Sequence, residues 1–148
     1  MIGANVGRLK SLFDDMENDM GKLTFTDMVK PEFQRLGYVK RGNYWHKSPG
    51  NGLIYSVMVS GSQWNQNDYY VEMGITVFDG DHPFPTQLHW TLFLRCVSDG
   101  KQMNLLPDEA ITQIGKFFRS VQSIPALQTL LHSDRAIRVL NRWTLSDD

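Results

Sequence analysis

The chain has 148 residues, a single cysteine and a formal net charge of −1. One cysteine excludes an internal disulfide framework, and the small negative charge gives nucleic acid no overall electrostatic reason to bind. The chain contains no apolar run long enough to span a bilayer and shows no secretion signal at its start, so we expect a cytoplasmic protein without a membrane partner.

Two helices are predicted before the first strand. Apolar residues recur every three or four positions from Asn5 to Met20, where Gly21 ends the pattern. A second helix carries Phe25, Met28, Val29, Phe33 and Leu36 on one face and ends at Gly37. Pro31 falls inside this second pattern, so we expect either a kink or a helix that begins near Lys30.

The period then changes from about 3.6 to two, which indicates β-strands. "YVKRGNYWHKS" and "LIYSVMVS" flank the turn "PGNG" and predict a hairpin. "YYVEMGITVF" predicts a half-solvated strand with Val71, Met73 and Ile75 inward, and "LHWTLFLRCV" predicts a fourth strand with Leu88, Trp90, Leu92, Leu94 and Cys96 inward. Trp45, Trp90 and Trp143 are assigned to the core or its rim.

Helical patterns return in the last third of the chain. "LPDEAITQIGKFFRSV" has the proline and acids typical of a helix start, Ser123 is placed to cap "IPALQTLLH", and "SDRAIRVLNRW" predicts a last helix. The predicted fold is α+β, a four-stranded antiparallel meander with N-terminal and C-terminal helices covering one face. We expect residues 1–148 to form one domain, in which the N-terminal helix at residues 1–21 could serve as an added partner or dimer element.

Charge is unevenly distributed along the chain. No lysine or arginine lies between Ser48 and Leu94, whereas four acids do: Asp68, Glu72, Asp79 and Asp81. Basic residues flank this part of the chain at Arg35, Lys40, Arg41 and Lys47, and again at Arg135, Arg138 and Arg142. The pattern indicates either an acidic surface with basic flanks or ordinary solvated faces.

No motif predicts a catalytic, cofactor or metal site. "DGDH" at residues 79–82 offers metal-ligating side chains, but nothing downstream completes a ligand set. The four histidines lack the helical spacing of a metal pair, and Cys96 lies in an apolar run that favours a buried thiol over a reactive one. A Ser-His or Cys-His arrangement assembled in space stays open.

A lone tryptophan lies in the polar loop "GSQWNQNDYYVEMGI". Its ring either packs under the end of the sheet or is presented to a protein partner, with the surrounding amides as adaptable donors and acceptors. The partner-binding candidates are Trp64, Asn65, Gln66, Asn67, Asp68 and Tyr69.

The outward positions of the last two predicted strands form a second candidate. Tyr70, Glu72, Thr76, His89, Thr91 and Arg95 share one face of the predicted sheet. This face is either the wet side of the sheet or a ligand platform, on which Glu72, His89 and Arg95 are the candidate ligand residues.

Four segments, "FQRLGYVKRGNYWHK", "VMVSGSQWN", "YYVEMGITVF" and "SIPALQTLLHSDRAIRVL", resemble successive blocks of the domain-of-unknown-function 4304 family of small bacterial proteins. The resemblance runs from Phe25 to Leu140 and implies a single α+β domain with no known active site. It also implies similarity to bacterial immunity proteins, which neutralise toxins. We therefore expect a non-enzymatic toxin inhibitor, with a small-ligand protein or enzyme using the polar sheet face as the alternative, and a homodimer compatible with both.

Overall fold

A computed structural model describes residues 21–62, 67–133 and 138–139 of the chain. The helices are α1 (Lys22–Arg35), α2 (Pro107–Ser120) and α3 (Ile124–Ser133), with a 3₁₀ helix at Gln87–His89. The strands are β1 (Val39–Arg41), β2 (Tyr44–Lys47), β3 (Leu53–Gly61), β4 (Tyr69–Val77), β5 (Leu92–Arg95) and β6 (Arg138–Val139).

The strands form one antiparallel sheet whose order follows the chain from β1 to β6. The predicted α+β class and the meander are confirmed, but four strands were too few. The first predicted strand is split at Gly42 and Asn43 into a tight β1–β2 hairpin, in which Arg41 pairs with Tyr44. The two-residue β6 pairs with β5 inside the segment predicted to be the last helix, so that prediction is wrong at residues 138–139.

Helix α1 is continuous through Pro31 and does not begin anew at Lys30. It ends in a Schellman motif, in which the N–H of Tyr38 donates to the carbonyl of Phe33 and the N–H of Gly37 donates to that of Gln34. Gly37 takes a φ of +93°, which only glycine adopts without steric cost. The rings of Phe33 and Tyr38, 5.2 Å apart, supply the apolar contact that accompanies this motif.

The starts of α2 and α3 follow the capping rules. The carboxylate of Glu109 accepts from the N–H of Leu106 at 2.9 Å, and Pro107 occupies the first helical position of α2. The hydroxyl of Ser123 accepts from the N–H of Ala126 at 3.1 Å, which confirms the predicted cap of α3. Both helix starts were therefore readable from the sequence.

All three described helices pack on the same face of the sheet. Phe25, Val29 and Phe33 of α1 are buried, as predicted, whereas Met28 is exposed. They join Ala110, Ile114 and Phe118 of α2 and Leu127 of α3 in a core with the inward side chains of the strands, which include Trp45, Val57, Val71, Met73, Ile75, Leu92 and Cys96. We call this side of the sheet the helical face.

The opposite side of the sheet carries a smaller apolar cluster. Trp90, Met58 and Phe93 are buried there, with Tyr44 packed against them. Strand β5 begins at Leu92 instead of Leu88, because residues 87–89 form the 3₁₀ helix, so the predicted inward positions of Leu88 and Trp90 are wrong. Leu88 is 78% exposed, and Trp90 is buried on the side away from the helices.

Among the described helices, none is long and apolar enough to cross a bilayer. The predicted helix at residues 5–20, with the added element at residues 1–21 that contains it, lies outside the described residues apart from Gly21, and so does Trp143.

Candidate functional site

The loop that carries the lone tryptophan is closed at its base. It connects β3 to β4, the two longest strands, and the N–H of Ser62 donates to the carbonyl of Asp68 at 2.9 Å. Asn104, from the connection between β5 and α2, holds the same point: its side-chain amide donates to the Asp68 carboxylate at 2.8 Å and accepts from the N–H of Tyr69 at 2.9 Å. The loop ends are thus fixed to a second segment of the chain.

The structure separates the predicted partner-binding residues into three groups. Trp64, Asn65 and Gln66 lie outside the described residues. Asn67 is exposed and Asp68 is half-buried.

Tyr69 belongs to the core. Its side chain is fully buried, its hydroxyl donates to the carbonyl of Leu105 at 2.6 Å, and its ring lies 4.8 Å from that of Phe25. A partner cannot reach this ring on the folded protein, so the prediction that Tyr69 is a surface anchor is wrong. The reason is positional: Tyr69 is the first residue of β4 and faces the helices.

Glu72 and Arg95, two of the predicted ligand residues, lie side by side. They are paired across β4 and β5, and their charged groups are 3.5 Å apart. The Glu72 carboxylate also accepts from the Ser60 hydroxyl at 2.8 Å, and the Arg95 guanidinium lies 4.0 Å from the centre of the Tyr70 ring. Glu72 is only 5% exposed, and these contacts fix its side chain within the folded structure.

His89, the third predicted ligand residue, is not part of this group. It ends the 3₁₀ helix, where its Nδ1 accepts from the N–H of Thr86 at 3.1 Å. Its ring lies 4.5 Å from that of His82. In the described part of the chain, no hydrogen bond or ion pair joins His89 to Glu72 or Arg95, so the predicted constellation of three does not form.

The polar side of the sheet, which we call the polar face, is covered. Trp90 lies so close to Gly74 that a Cβ built there would be 1.9 Å from the indole. Ser56, Thr76 and Thr91 are buried on or beside this face. A half-solvated strand was predicted because β4 alternates in polarity, and that prediction is wrong. The covered face also removes the surface on which the ligand-binding alternative rested.

The sequence contained one signal for this covering layer. A glycine in the middle of a strand often marks a close approach of another group, and Gly74 pairs with Phe93 at the centre of the β4–β5 ladder. The signal does not identify the approaching group. That group is Trp90, sixteen positions further along the chain.

Two buried side chains resemble the start of a catalytic arrangement. Nδ1 of His46 and the Ser56 hydroxyl are 2.8 Å apart, within hydrogen-bond distance. Both side chains are buried, and burial together with the nearby charge of Arg41 lowers the pKa of His46 to about 4. No substrate can reach this pair on the folded chain, so it is a structural pair.

The thiol and the "DGDH" turn offer no reactive group either. Burial raises the pKa of Cys96 to about 12, so the thiol stays protonated and packs as a small apolar side chain. Asp79 accepts from the N–H of Asp81 at 2.9 Å and lies 3.3 Å from His82. Across the described ranges, no three potential ligands lie close enough together to hold a metal ion.

The acids of the central segment do not form one surface. Glu72 is buried, Asp68 lies before the start of β4, and Asp79 and Asp81 are exposed beyond its end. The nine residues of β4, a span of roughly 30 Å, separate the half-buried Asp68 from the exposed Asp79 and Asp81. Of the two alternatives, one acidic surface is therefore excluded, and ordinary solvated faces remain.

A cleft that the sequence did not predict lies between α1, α2 and the β2–β3 turn. Its volume is about 530 Å³, within the range of small-molecule sites. Arg35, Tyr38, Lys47, Tyr55 and Arg119 are among its lining residues and come from five different elements or their edges. Such a combination has no sequence motif. Gly115, inside α2, is the single local signal, since mid-helix glycine usually has a packing or functional reason.

No curated protein and no solved structure matches the chain. A family model does match, over residues 29–91, a segment that runs from α1 to the end of the connection before β5. The model is that of the family described as domain of unknown function DUF4304, so the resemblance found in the sequence is confirmed over that segment.

Proposed function

We propose that the protein is a non-enzymatic binding protein of the bacterial cytoplasm, an immunity protein that neutralises a cognate toxin by occluding it. The closed base of the β3–β4 loop carries the proposal. Loop ends that are fixed before the loop meets a partner leave less conformational freedom to be lost on binding, which strengthens the complex. A single buried cysteine with a raised pKa suits a reducing compartment.

In this proposal, Trp64 is the anchor, and Asn65, Gln66, Asn67 and Asp68 surround it as adaptable polar contacts. Tryptophan is enriched among the few residues that dominate the energy of protein interfaces. Asn67 is exposed at the loop end nearest β4, and a hydrogen bond to Asn104 fixes Asp68 beside it. The partner surface would therefore be the end of the sheet at which β3 ends and β4 begins.

Electrostatic steering has a smaller part in the proposal than the charge pattern suggests. Of the described loop residues, Asn67 and Asp68 lie at the proposed surface, and Asp68 alone of the two is acidic. The acids Asp79 and Asp81 lie at the far end of β4. We expect the association rate with a basic toxin to depend weakly on salt, because one half-buried carboxylate contributes little long-range field.

The test uses the protein encoded beside this chain as the candidate toxin. Wild-type protein should restore the growth of bacteria that express the toxin and should form a complex measurable by calorimetry. Trp64→Ala should weaken that complex by about 2 kcal/mol or more, because a desolvated tryptophan anchor is lost. Acrylamide quenching of wild type against Trp64→Phe establishes whether the indole is accessible.

Leu88→Ala is the matched control. Leu88 is also a large apolar side chain, 78% exposed, but it lies beyond the opposite end of β4. Its replacement should leave affinity unchanged. Equal affinity of wild type and Trp64→Ala would remove the loop from the interface, and the absence of any complex or growth rescue would overturn the immunity function.

A further inference from the structure

The cleft between α1, α2 and the β2–β3 turn has an aromatic floor. Tyr38, Tyr55 and Phe118 line it, and the rings of Tyr55 and Phe118 stack at 4.6 Å. The Tyr55 hydroxyl donates to the carbonyl of Val121 at 2.6 Å and accepts from the Asn51 amide at 2.9 Å, so its ring is fixed. Preformed aromatic walls with a few polar groups are typical of small-molecule sites.

The charged groups at the rim are mostly positive. Arg35, Lys47 and Arg119 line the cleft together with one acid, Glu32, which is ion-paired with Arg35. Within the described part of the chain, neither Lys47 nor Arg119 has a carboxylate within ion-pair distance. Burial raises the pKa of Tyr38 and of Tyr55, so both phenols stay neutral and add no negative charge to the floor.

Gly115 makes room for one of these cations. A Cβ at this position of α2 would lie 2.9 Å from an Nη atom of Arg119, so the guanidinium lies back against the helix at the wall of the cleft. Glycine inside a helix is less favourable than alanine by about 1 kcal/mol. Glycine at this position therefore lowers helix stability but leaves space for the Arg119 side chain beside the cleft.

We propose that this cleft binds a small organic anion, whose apolar body fills the cleft over the small parts of Tyr38, Tyr55 and Phe118 that remain exposed and whose carboxylate or phosphate lies between Lys47 and Arg119. The aromatic side chains supply an apolar floor, and lysine and arginine supply the charge-assisted hydrogen bonds that such anions take. The cleft lies at the C-terminal end of α1, whereas the proposed partner loop lies near its N-terminal end, so the two proposals stand or fall separately.

The test is a titration followed by the backbone amide signals in NMR. The probes are benzoate and phenyl phosphate, with inorganic phosphate as the anion without a ring and benzyl alcohol as the ring without a charge. We expect the two aromatic anions to shift amide signals around the cleft. Inorganic phosphate and benzyl alcohol should each bind about tenfold more weakly or worse, because each lacks one half of the recognised structure.

Three variants locate the contacts. Lys47→Gln and Arg119→Gln should each weaken binding of the tighter probe about tenfold, since each removes a charge-assisted contact. Gly115→Ala keeps every charge, should raise thermal stability and should weaken binding less than either charge removal, because the flexible Arg119 side chain can move away from the added methyl group. Lys116→Gln, which removes an exposed cation from the same helix, is the matched control and should change nothing.

Three outcomes would overturn the proposal. They are no shift at the cleft with millimolar benzoate or phenyl phosphate, equal affinity for inorganic phosphate and phenyl phosphate, and unchanged affinity in both Lys47→Gln and Arg119→Gln. A preference between benzoate and phenyl phosphate identifies the anionic group. None of these measurements requires the partner of the β3–β4 loop.

Discussion

One face of the sheet packs against three helices, whereas the other packs against the irregular connection between β4 and β5. The core between the helical face and the helices is apolar and includes Phe33, Trp45 and Ile114. The polar face buries Ser56, Glu72, Thr76 and a small cluster around Trp90. Burying a polar group costs free energy unless the group finds a hydrogen bond. The stability that the polar face contributes therefore depends on individual contacts, whereas that of the helical face depends on the total apolar area buried.

The largest expected effect comes from the closest contact of the polar face. Gly74→Ala places a methyl group 1.9 Å from an atom of the Trp90 indole, and both the backbone of β4 and the buried ring are hard to move. We expect a loss of about 3 kcal/mol in the free energy of unfolding, measured by urea denaturation followed by circular dichroism and by intrinsic tryptophan fluorescence.

Gly80→Ala serves as its control, because no heavy atom lies within 4 Å of the added methyl group in the following turn. Its unfolding free energy should match that of wild type. A Gly74→Ala protein as stable as Gly80→Ala would show that Trp90 can leave this face without consequence, and the two faces would then differ in rigidity as well as in composition.

The two faces also differ in how much of each could be predicted from the sequence. Alternation placed Val71, Met73 and Ile75 on one side of β4 and Glu72 on the other, because a strand presents successive side chains to opposite faces. It could not show that Glu72 is buried. The covering group, Trp90, follows a 3₁₀ helix in a segment whose period-two alternation had predicted a strand.

The candidate sites were less predictable than the elements. The predicted group of Glu72, His89 and Arg95 failed because the true start of β5, at Leu92, leaves His89 outside the strand. The cleft was missed because Tyr38, Lys47 and Arg119 are far apart in sequence, and only the packing of α1 against α2 and β3 brings them together. Local patterns predict elements, whereas such sites depend on how the elements pack.

A pH titration should distinguish the faces, since a buried titratable imidazole lies on the polar one. The pKa of His46 is lowered to about 4 in the folded protein, mainly by burial, and is near 6.5 in an unfolded chain. Between pH 6.5 and 4, His46 is therefore protonated in the unfolded chain and neutral in the folded protein. As the pH falls from 6.5 to 4, this extra proton should lower the free energy of unfolding by roughly 3 kcal/mol. Above pH 6.5 the imidazole is neutral in both states, and the full stability is present.

The measurement is the free energy of unfolding against pH for wild type and His46→Gln. The carboxylates that also titrate near pH 4 are common to both proteins, so the difference between the two curves isolates the imidazole. That difference should be constant above pH 7 and change steadily between pH 6.5 and 4.5. Parallel curves would mean that His46 accepts a proton in the folded state, which would contradict its burial beside Ser56.

The smallest expected effect has the opposite sign and concerns unpaired hydroxyls. In the described part of the chain, the buried Oγ1 atoms of Thr76 and Thr91 have no hydrogen-bond partner. Replacing either threonine with valine keeps its shape and removes the desolvated hydroxyl, so Thr76→Val should raise the unfolding free energy by about 1 kcal/mol. Thr112→Val, at an exposed position of α2, should change it by less than about 0.5 kcal/mol.

Ser60→Ala should instead lower the unfolding free energy, because the Ser60 hydroxyl donates to the buried Glu72 carboxylate. If Thr76→Val and Ser60→Ala changed stability in the same direction, the stability of the polar face would depend on shape alone, as that of the helical face does.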